Sequence, residues 1–210
     1  QVEDIAAAGH QVGRAEQFSQ DLTSLVARRV DDLTAYQNAA YAARYRALVE
    51  RVEQAEKTRA RGMTGLAEAV ARNFYKLMAY KDEYEVARLY TDGEFLAKLR
   101  ETFAGATRLR VHLAPPLLAR RDPASGELQK REYGAWMLTA MRGLAKFRFL
   151  RGSLLDPFGH TAERRMERRL IDDYERTVDM LLAGLDHDNH VLAVEIAGLP
   201  QQMRGFGHIK

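Results

Sequence analysis

The residues best suited to chemistry are few and scattered. His187 and His190 stand three apart in DHDNH (186–190), beside Asp186 and Asp188. Imidazoles and carboxylates ligate metals, but a His-x-x-His pair without a third fixed ligand is a weak metal signal. The same residues suit a connection between helices and the first turn of the second one, where carboxylates meet the positive end of the helix dipole. That reading is preferred, and no metal ligand is assigned. Arg120-Arg121 and Lys130-Arg131 would face one another if 108–133 forms a hairpin. Four cations so placed can hold a phosphate or a partner's carboxylate. They also suit an edge strand kept soluble by charge, the reading we favour. Near the end of the sequence Arg204, Phe206 and His208 alternate with glycines. Glycine allows close backbone approach, so this tail could clamp a ligand or dock; a frayed terminus explains it equally well. Arg120, Arg121, Lys130, Arg131, Arg204, Phe206 and His208 are therefore the candidate interface or anion patch. No catalytic and no cofactor-binding residue is assigned.

Several enzyme signatures are missing from the sequence: a Walker A loop, Gly-x-Gly-x-x-Gly after a strand, Gly-x-Ser-x-Gly and His-Glu-x-x-His. Acidic residues are numerous, but none stands isolated in an apolar run, where burial would tune it for proton transfer. With 46% apolar and 29% charged residues among 210, the chain has the composition of a globular protein with one sizeable core or two small ones. It lacks an apolar run of about 18 residues, so no membrane span is expected. The first residues, QVEDIAAAGH, carry two acids and no basic leader, so no signal peptide is expected. Without cysteine there is no disulfide, thiolate metal site or cysteine-held cluster on this chain, which fits a cytoplasmic protein. The net charge is +3, and acids and bases alternate as in ERRMERRLIDDYERTVD (163–179), so nucleic-acid binding is disfavoured.

These residues must be positioned by a mainly α architecture. Residues 1–19 read as a loosely ordered lead-in and 20–210 as a single α-helical domain. It is a bundle of five or six helices with a small β-hairpin inserted at about 108–133. Apolar spacing runs unbroken over 20–57, through Leu22, Val26, Val30, Leu33, Tyr36, Tyr41, Tyr45, Leu48 and Val52. As one helix it would be roughly 55–60 Å long; a break near 31–38 is the competing expectation. Thr64 is placed to cap the next helix. That helix, 66–90, carries Leu66, Val70, Phe74, Leu77, Tyr80, Tyr84, Ala87 and Tyr90 on one face and reads as the central element. Its three tyrosines each need a polar partner or a route to solvent. Thr91-x-x-Glu94 has capping-box spacing for a helix over 94–103. Alternation at Leu109, Val111 and Leu113 predicts a strand, and LQKREY (128–133) its return. Helical spacing resumes over 136–150, LLDPFGH (154–160) is a loop, and Thr161 caps a helix to about Ala183. The seam of that helix is Met166, Leu170, Tyr174, Val178, Leu181 and Leu185, with Arg169–Asp173 and Asp172–Arg176 paired on its outer surface. A last helix over 189–199 ends at Pro200.

Several long strings resemble a single family. VARNFYKLMAYKDEYEVARLYTDGEFLAKL (70–99), HLAPPLLARRDPASGELQKREYGAWM (112–137), DPFGHTAERRMERRLIDDYE (156–175) and RGFGHIK (204–210) are similar to the C-terminal region of indolepyruvate ferredoxin oxidoreductases. So is LTAYQNAAYAARYRALVERV (33–52). These are the long, fused bacterial forms of the thiamine-dependent 2-oxoacid:ferredoxin oxidoreductases, and the likeness runs from about residue 22 onward. The resemblance implies a parent enzyme that oxidatively decarboxylates an arylpyruvate with thiamine diphosphate, iron–sulfur clusters, coenzyme A and ferredoxin. This chain has neither cysteines nor a Gly-Asp-Gly-type thiamine diphosphate motif, so no cofactor and no catalytic residue is carried over to it. What the resemblance implies here is an accessory domain, inactive alone, that packs on the parent's catalytic domains or serves subunit assembly. Its expected partners are those domains and, through the parent, ferredoxin, with a homo-oligomer left open. The alternative is a stand-alone α-helical module that binds an acidic partner or nucleic acid through its arginines.

Overall fold

The computed structural model describes residues 22–93, 95, 97, 101–102, 111–113 and 131–203. Within them the protein is mainly α, with seven helices and one pair of three-residue strands. The lead-in 1–19 lies outside the described residues, as do Arg120, Arg121, Lys130, Arg204, Phe206 and His208.

The long helical pattern at the start is two helices, α1 (Leu22–Tyr36) and α2 (Ala39–Arg59), so the unbroken rod is corrected to a helical pair. Asn38 explains the break. Its backbone is extended and its side chain accepts the Tyr41 N–H at 2.9 Å, so it starts a new helix instead of continuing the old one. The run expected over 66–90 is likewise two helices, α3 (Leu66–Met78) and α4 (Glu83–Thr91). Asp82 caps α4 by accepting the Glu85 N–H at 2.8 Å. Carbonyls at the end of α3 and in the turn before α4 are taken by phenols from the first helical pair: Tyr41 donates to Met78 O and Tyr36 to Tyr80 O.

Thr64 does not cap α3. The N-cap is Gly65, at φ +117°, and the free N–H groups of Leu66 and Ala67 are taken by Glu56 from α2. Thr91 is the last residue of α4, and its hydroxyl donates back to Ala87 O. Of the helix expected over 94–103, Phe95, Ala97, Glu101 and Thr102 are described and helical. Strands β1 (Val111–Leu113) and β2 (Arg131–Tyr133) pair antiparallel, with Val111 opposite Tyr133 and Leu113 opposite Arg131, as expected of a hairpin.

The second half comprises α5 (Trp136–Lys146), a 3₁₀ turn (Phe147–Leu150), α6 (Ala162–Ala183), α7 (His190–Gly198) and a closing 3₁₀ turn (Leu199–Gln202). Thr161 caps α6 through Arg164 N. The buried seam of α6 is Glu167, Ile171, Tyr174, Val178 and Leu182. Tyr174, Val178 and, just beyond the helix, Leu185 are buried as expected, and Leu170 and Leu181 pack partly buried against the core. Met166, 42% exposed, does not belong to the seam. Beside it Glu167 is buried and paired with Arg164. The expected pairs on α6 differ too: Asp173 pairs with Arg176, and Asp172 reaches Arg44 on α2.

Helix α3 is the hub. Its apolar stripe meets α1, α2, α6 and α7 in one large core, through which Tyr45, Phe74 and Tyr174 stack with ring centroids 6.1 and 5.9 Å apart. A second, smaller core lies between α4 and α5, built on Ala87, Met137, Leu138 and Met141. Arg44 grips Glu175 with two contacts, and Arg51 pairs with Asp179 at 2.7 Å, so α2 and α6 run parallel. Among the described residues no helix is long and apolar enough to cross a membrane. Replacing the exposed cap, Asn38→Ala, should cost about 1 kcal/mol in equilibrium denaturation while leaving the helical signal of the native state unchanged.

Candidate functional site

Two clusters of polar side chains are buried in the fold. The first joins the two cores. Arg151 follows the 3₁₀ turn after α5, and Gly152, at φ +75°, turns the chain back toward α6. The Arg151 guanidinium forks onto Asp82, with Nε 2.5 Å from Oδ2 and an outer nitrogen 2.9 Å from Oδ1. A further nitrogen donates to Tyr36 O at 2.6 Å, and the group lies 3.7 Å above the Tyr36 ring. Arg151 and Asp82 are both buried, so this is a desolvated ion pair with its donors satisfied. Burial alone would depress the ionisation of Arg151; the hydrogen bonds to Asp82 reverse this and hold it above the ordinary arginine value.

Asp156 closes the cluster. One oxygen accepts Tyr84 OH and Phe158 N, and the other accepts Gly152 N at 2.8 Å. Gly159 has no side chain to spare here, because a Cβ would lie 2.5 Å from Asp156 Oδ2. Arg168 on α6 ties down the same loop through Gly159 O, and Arg164 bridges Glu167 and Glu83. Burial first, and the Asp156 carboxylate second, push the Tyr84 phenol well above its usual value. Burial is also the leading cause of the raised values at Tyr36, Tyr41, Tyr45, Tyr75, Tyr80 and Tyr174.

The second cluster is centred on Glu56. Its oxygens accept Leu66 N at 2.8 Å and Ala67 N at 3.0 Å, and His190 Nε2 lies 2.7 Å from Oε1. An ionised carboxylate only accepts, so in this contact the His190 Nε2 is assigned as the donor. His190 is 2% exposed and faces the core, whereas His187 is exposed with Nδ1 3.8 Å from Asp188. The two histidines do not converge. DHDNH forms the connection between α6 and α7, where Asp186 accepts the N–H groups of Asp188 and Asn189 at 2.9 Å. Among the described residues no three His, Asp or Glu side chains are grouped to hold a metal ion.

Of the candidate patch, Arg131 is described, and it is exposed on β2. Just before 204–210, Lys76 of α3 donates to the carbonyls of Pro200, Gln201 and Met203 at 2.8, 3.2 and 2.8 Å, fixing where that tail begins. A shallow groove of about 450 Å³ runs between α2 and α6, but its arginines are already engaged: Arg51 with Asp179, and Arg59 with Leu182 O. The surface is unusual elsewhere. Trp136, Phe147, Phe149, Leu154 and Leu155 are all at least half exposed, Leu154 at 92%.

Sequence reasoning missed Asp82, Arg151, Asp156 and Glu56. One signal was present: Asp82-x-x-Glu85 has the spacing of a helix start in the middle of an apparently continuous helix. Another was the stretch 134–155, which contains four basic residues and no acid. Glu56 gave none, since its role depends on α3 and α7 arriving at it.

The fold and its two clusters define an α-helical domain whose ionisable groups hold its own elements together, with an apolar surface left open. The chain belongs to the family described as "Family of unknown function (DUF6537)", whose model matches residues 22–210. No curated protein and no solved structure matches it.

Asp82→Ala leaves Arg151 buried and unpaired and should cost about 3–5 kcal/mol in chemical denaturation. The raised tyrosines give a second test. A phenol whose folded value lies above its unfolded value, near 10, adds stability that is complete below pH 10 and is lost as pH rises through the folded value. In a titration followed at the phenolate absorbance, these seven tyrosines should stay protonated above pH 10 and ionise together with loss of helical signal. Smooth titration of all nine tyrosines near pH 10 with the fold intact would contradict the buried-phenol arrangement.

Proposed function

We propose that this chain is the C-terminal accessory domain of a thiamine-dependent indolepyruvate (arylpyruvate):ferredoxin oxidoreductase, with a role in packing or subunit assembly and no catalysis of its own. The long strings similar to that family support the reading, and they lie within the residues of the family match. The observation that carries it is how the side chains are allotted. Buried acids, arginines and His190 hold the domain's own helices, while large apolar side chains from Trp136 to Leu155 are left in solvent. Exposed apolar groups of this size fit a surface that another part of a larger protein covers. Without cysteine, the chain supplies no thiolate to an iron–sulfur cluster. In this reading thiamine diphosphate, the clusters, coenzyme A and the docking of ferredoxin belong to the remainder of the parent.

The test is the triple variant Phe149→Asp/Leu154→Asp/Leu155→Asp in the full-length polypeptide. Indolepyruvate-dependent reduction of ferredoxin should fall at least tenfold, or the assembly should dissociate on size exclusion, while the same variant of the chain alone keeps its helical content. Wild-type turnover and assembly would refute the reading.

A further inference from the structure

We propose that the outer face of α5 and the loop beyond it bind an acidic amphipathic helix of a protein partner; the proposal rests on the reading that this domain docks within a larger assembly. On α5, Trp136, Ala140 and Gly143 are exposed along one side, in line with exposed Phe147 of the 3₁₀ turn, while Met137, Leu138 and Met141 fill the small core on the other. Trp136 and Phe147 are eleven positions apart, about 16 Å at 1.5 Å per residue, the length of three helical turns. Phe149 lies beside Phe147, with ring centroids 6.0 Å apart, and Leu154 and Leu155 are exposed in the loop that follows.

Charge defines the partner. Between 134 and 155 the cations are Arg142, Lys146, Arg148 and Arg151, with no acid among them. Arg151 is neutralised internally by Asp82. Arg142 and Lys146 are exposed, Arg148 is half-buried, and none of the three forms an ion pair with a described residue. On other faces Arg44, Arg51, Arg72 and Arg176 are matched, whereas exposed Arg28, Arg46, Arg61, Arg165 and Arg169 form no ion pair with a described residue; what sets this face apart is the apolar strip beside its cations. An apolar strip bordered by cations of one sign is complementary to a helix with an apolar stripe and acidic flanks. Tryptophan and arginine are also the residues that most often dominate protein interfaces. An anionic bilayer fits less well, because lipid-binding clusters usually gather about 4–8 basic residues. Nucleic acid fits less well too, since a contact through three cations leaves little phosphate neutralised.

Trp136 is the only tryptophan in the chain and lies on the proposed face, so its emission reports occupancy directly. The full chain is titrated with a helical peptide of leucines at three- and four-residue spacing and glutamates elsewhere. The comparison probes are the same peptide with lysine for glutamate, phosphatidylglycerol vesicles and a single-stranded oligonucleotide. A saturable blue shift with the acidic peptide alone is expected, weakened at least tenfold in Arg142→Glu/Lys146→Glu and retained in Arg142→Lys, with helical content checked for each. An equal response to the lysine peptide, a response to vesicles or oligonucleotide instead, or no response to any probe overturns the proposal. Selective binding of the acidic peptide, together with full activity of the parent carrying the aspartate triple variant, would uphold this surface and refute the accessory-domain reading.

Discussion

The contact on which the arrangement depends most is the buried ion pair between Arg151 and Asp82. It stands where the large core of α1, α2, α3, α6 and α7 meets the small core of α4 and α5. Asp82 carries out two tasks there, starting α4 and receiving the guanidinium. Arg151 also does two, closing the loop after α5 and holding Tyr36 at the end of α1. A desolvated pair of this kind is no large net source of stability compared with apolar packing, but losing one partner strands the other charge. Its contribution is therefore geometric. It admits one relation between the end of α1, the start of α4 and the loop before α6.

Tyrosine provides the complementary means of joining segments. Tyr36, Tyr41, Tyr45 and Tyr174 each place a ring in or against the large core and donate a phenol to a backbone carbonyl of another segment. One of these carbonyls, at Met78, closes α3, and another, at Tyr80, lies in the turn before α4. The chain can thus stop a helix without glycine or proline, because the polar groups exposed by stopping find aromatic donors. Each such contact adds about 1 kcal/mol and removes the larger cost of an unsatisfied buried carbonyl.

What the sequence revealed and what it concealed follow from how local each cause is. Thr161, the apolar stripe of α3 and the strand alternation near Val111 act through neighbours in the chain, and all were legible. The break at 79–82 was not, because Leu77, Tyr80 and Tyr84 keep a three-to-four spacing across it while distant Arg151 and Tyr36 stabilise the interruption. At the start of α6 the expected Met166 gives way to Glu167, polar by type, which is buried and paired with Arg164. DHDNH was legible as the connection between α6 and α7, but the burial of His190 was not, because its partner Glu56 lies 134 positions earlier in the chain. The open surface along α5 was written in the absence of acids from 134 to 155, a feature that composition averaged over the whole chain conceals.

Glu56 has a further mechanical consequence. One carboxylate near the end of α2 receives the first N–H groups of α3 and the imidazole that opens α7, so three helix termini share a single fastening. Neither α3 nor α7 can slide along its axis by an ångström without stretching a bond the other also uses. Glu56 thus couples the start of α7 directly to the start of α3.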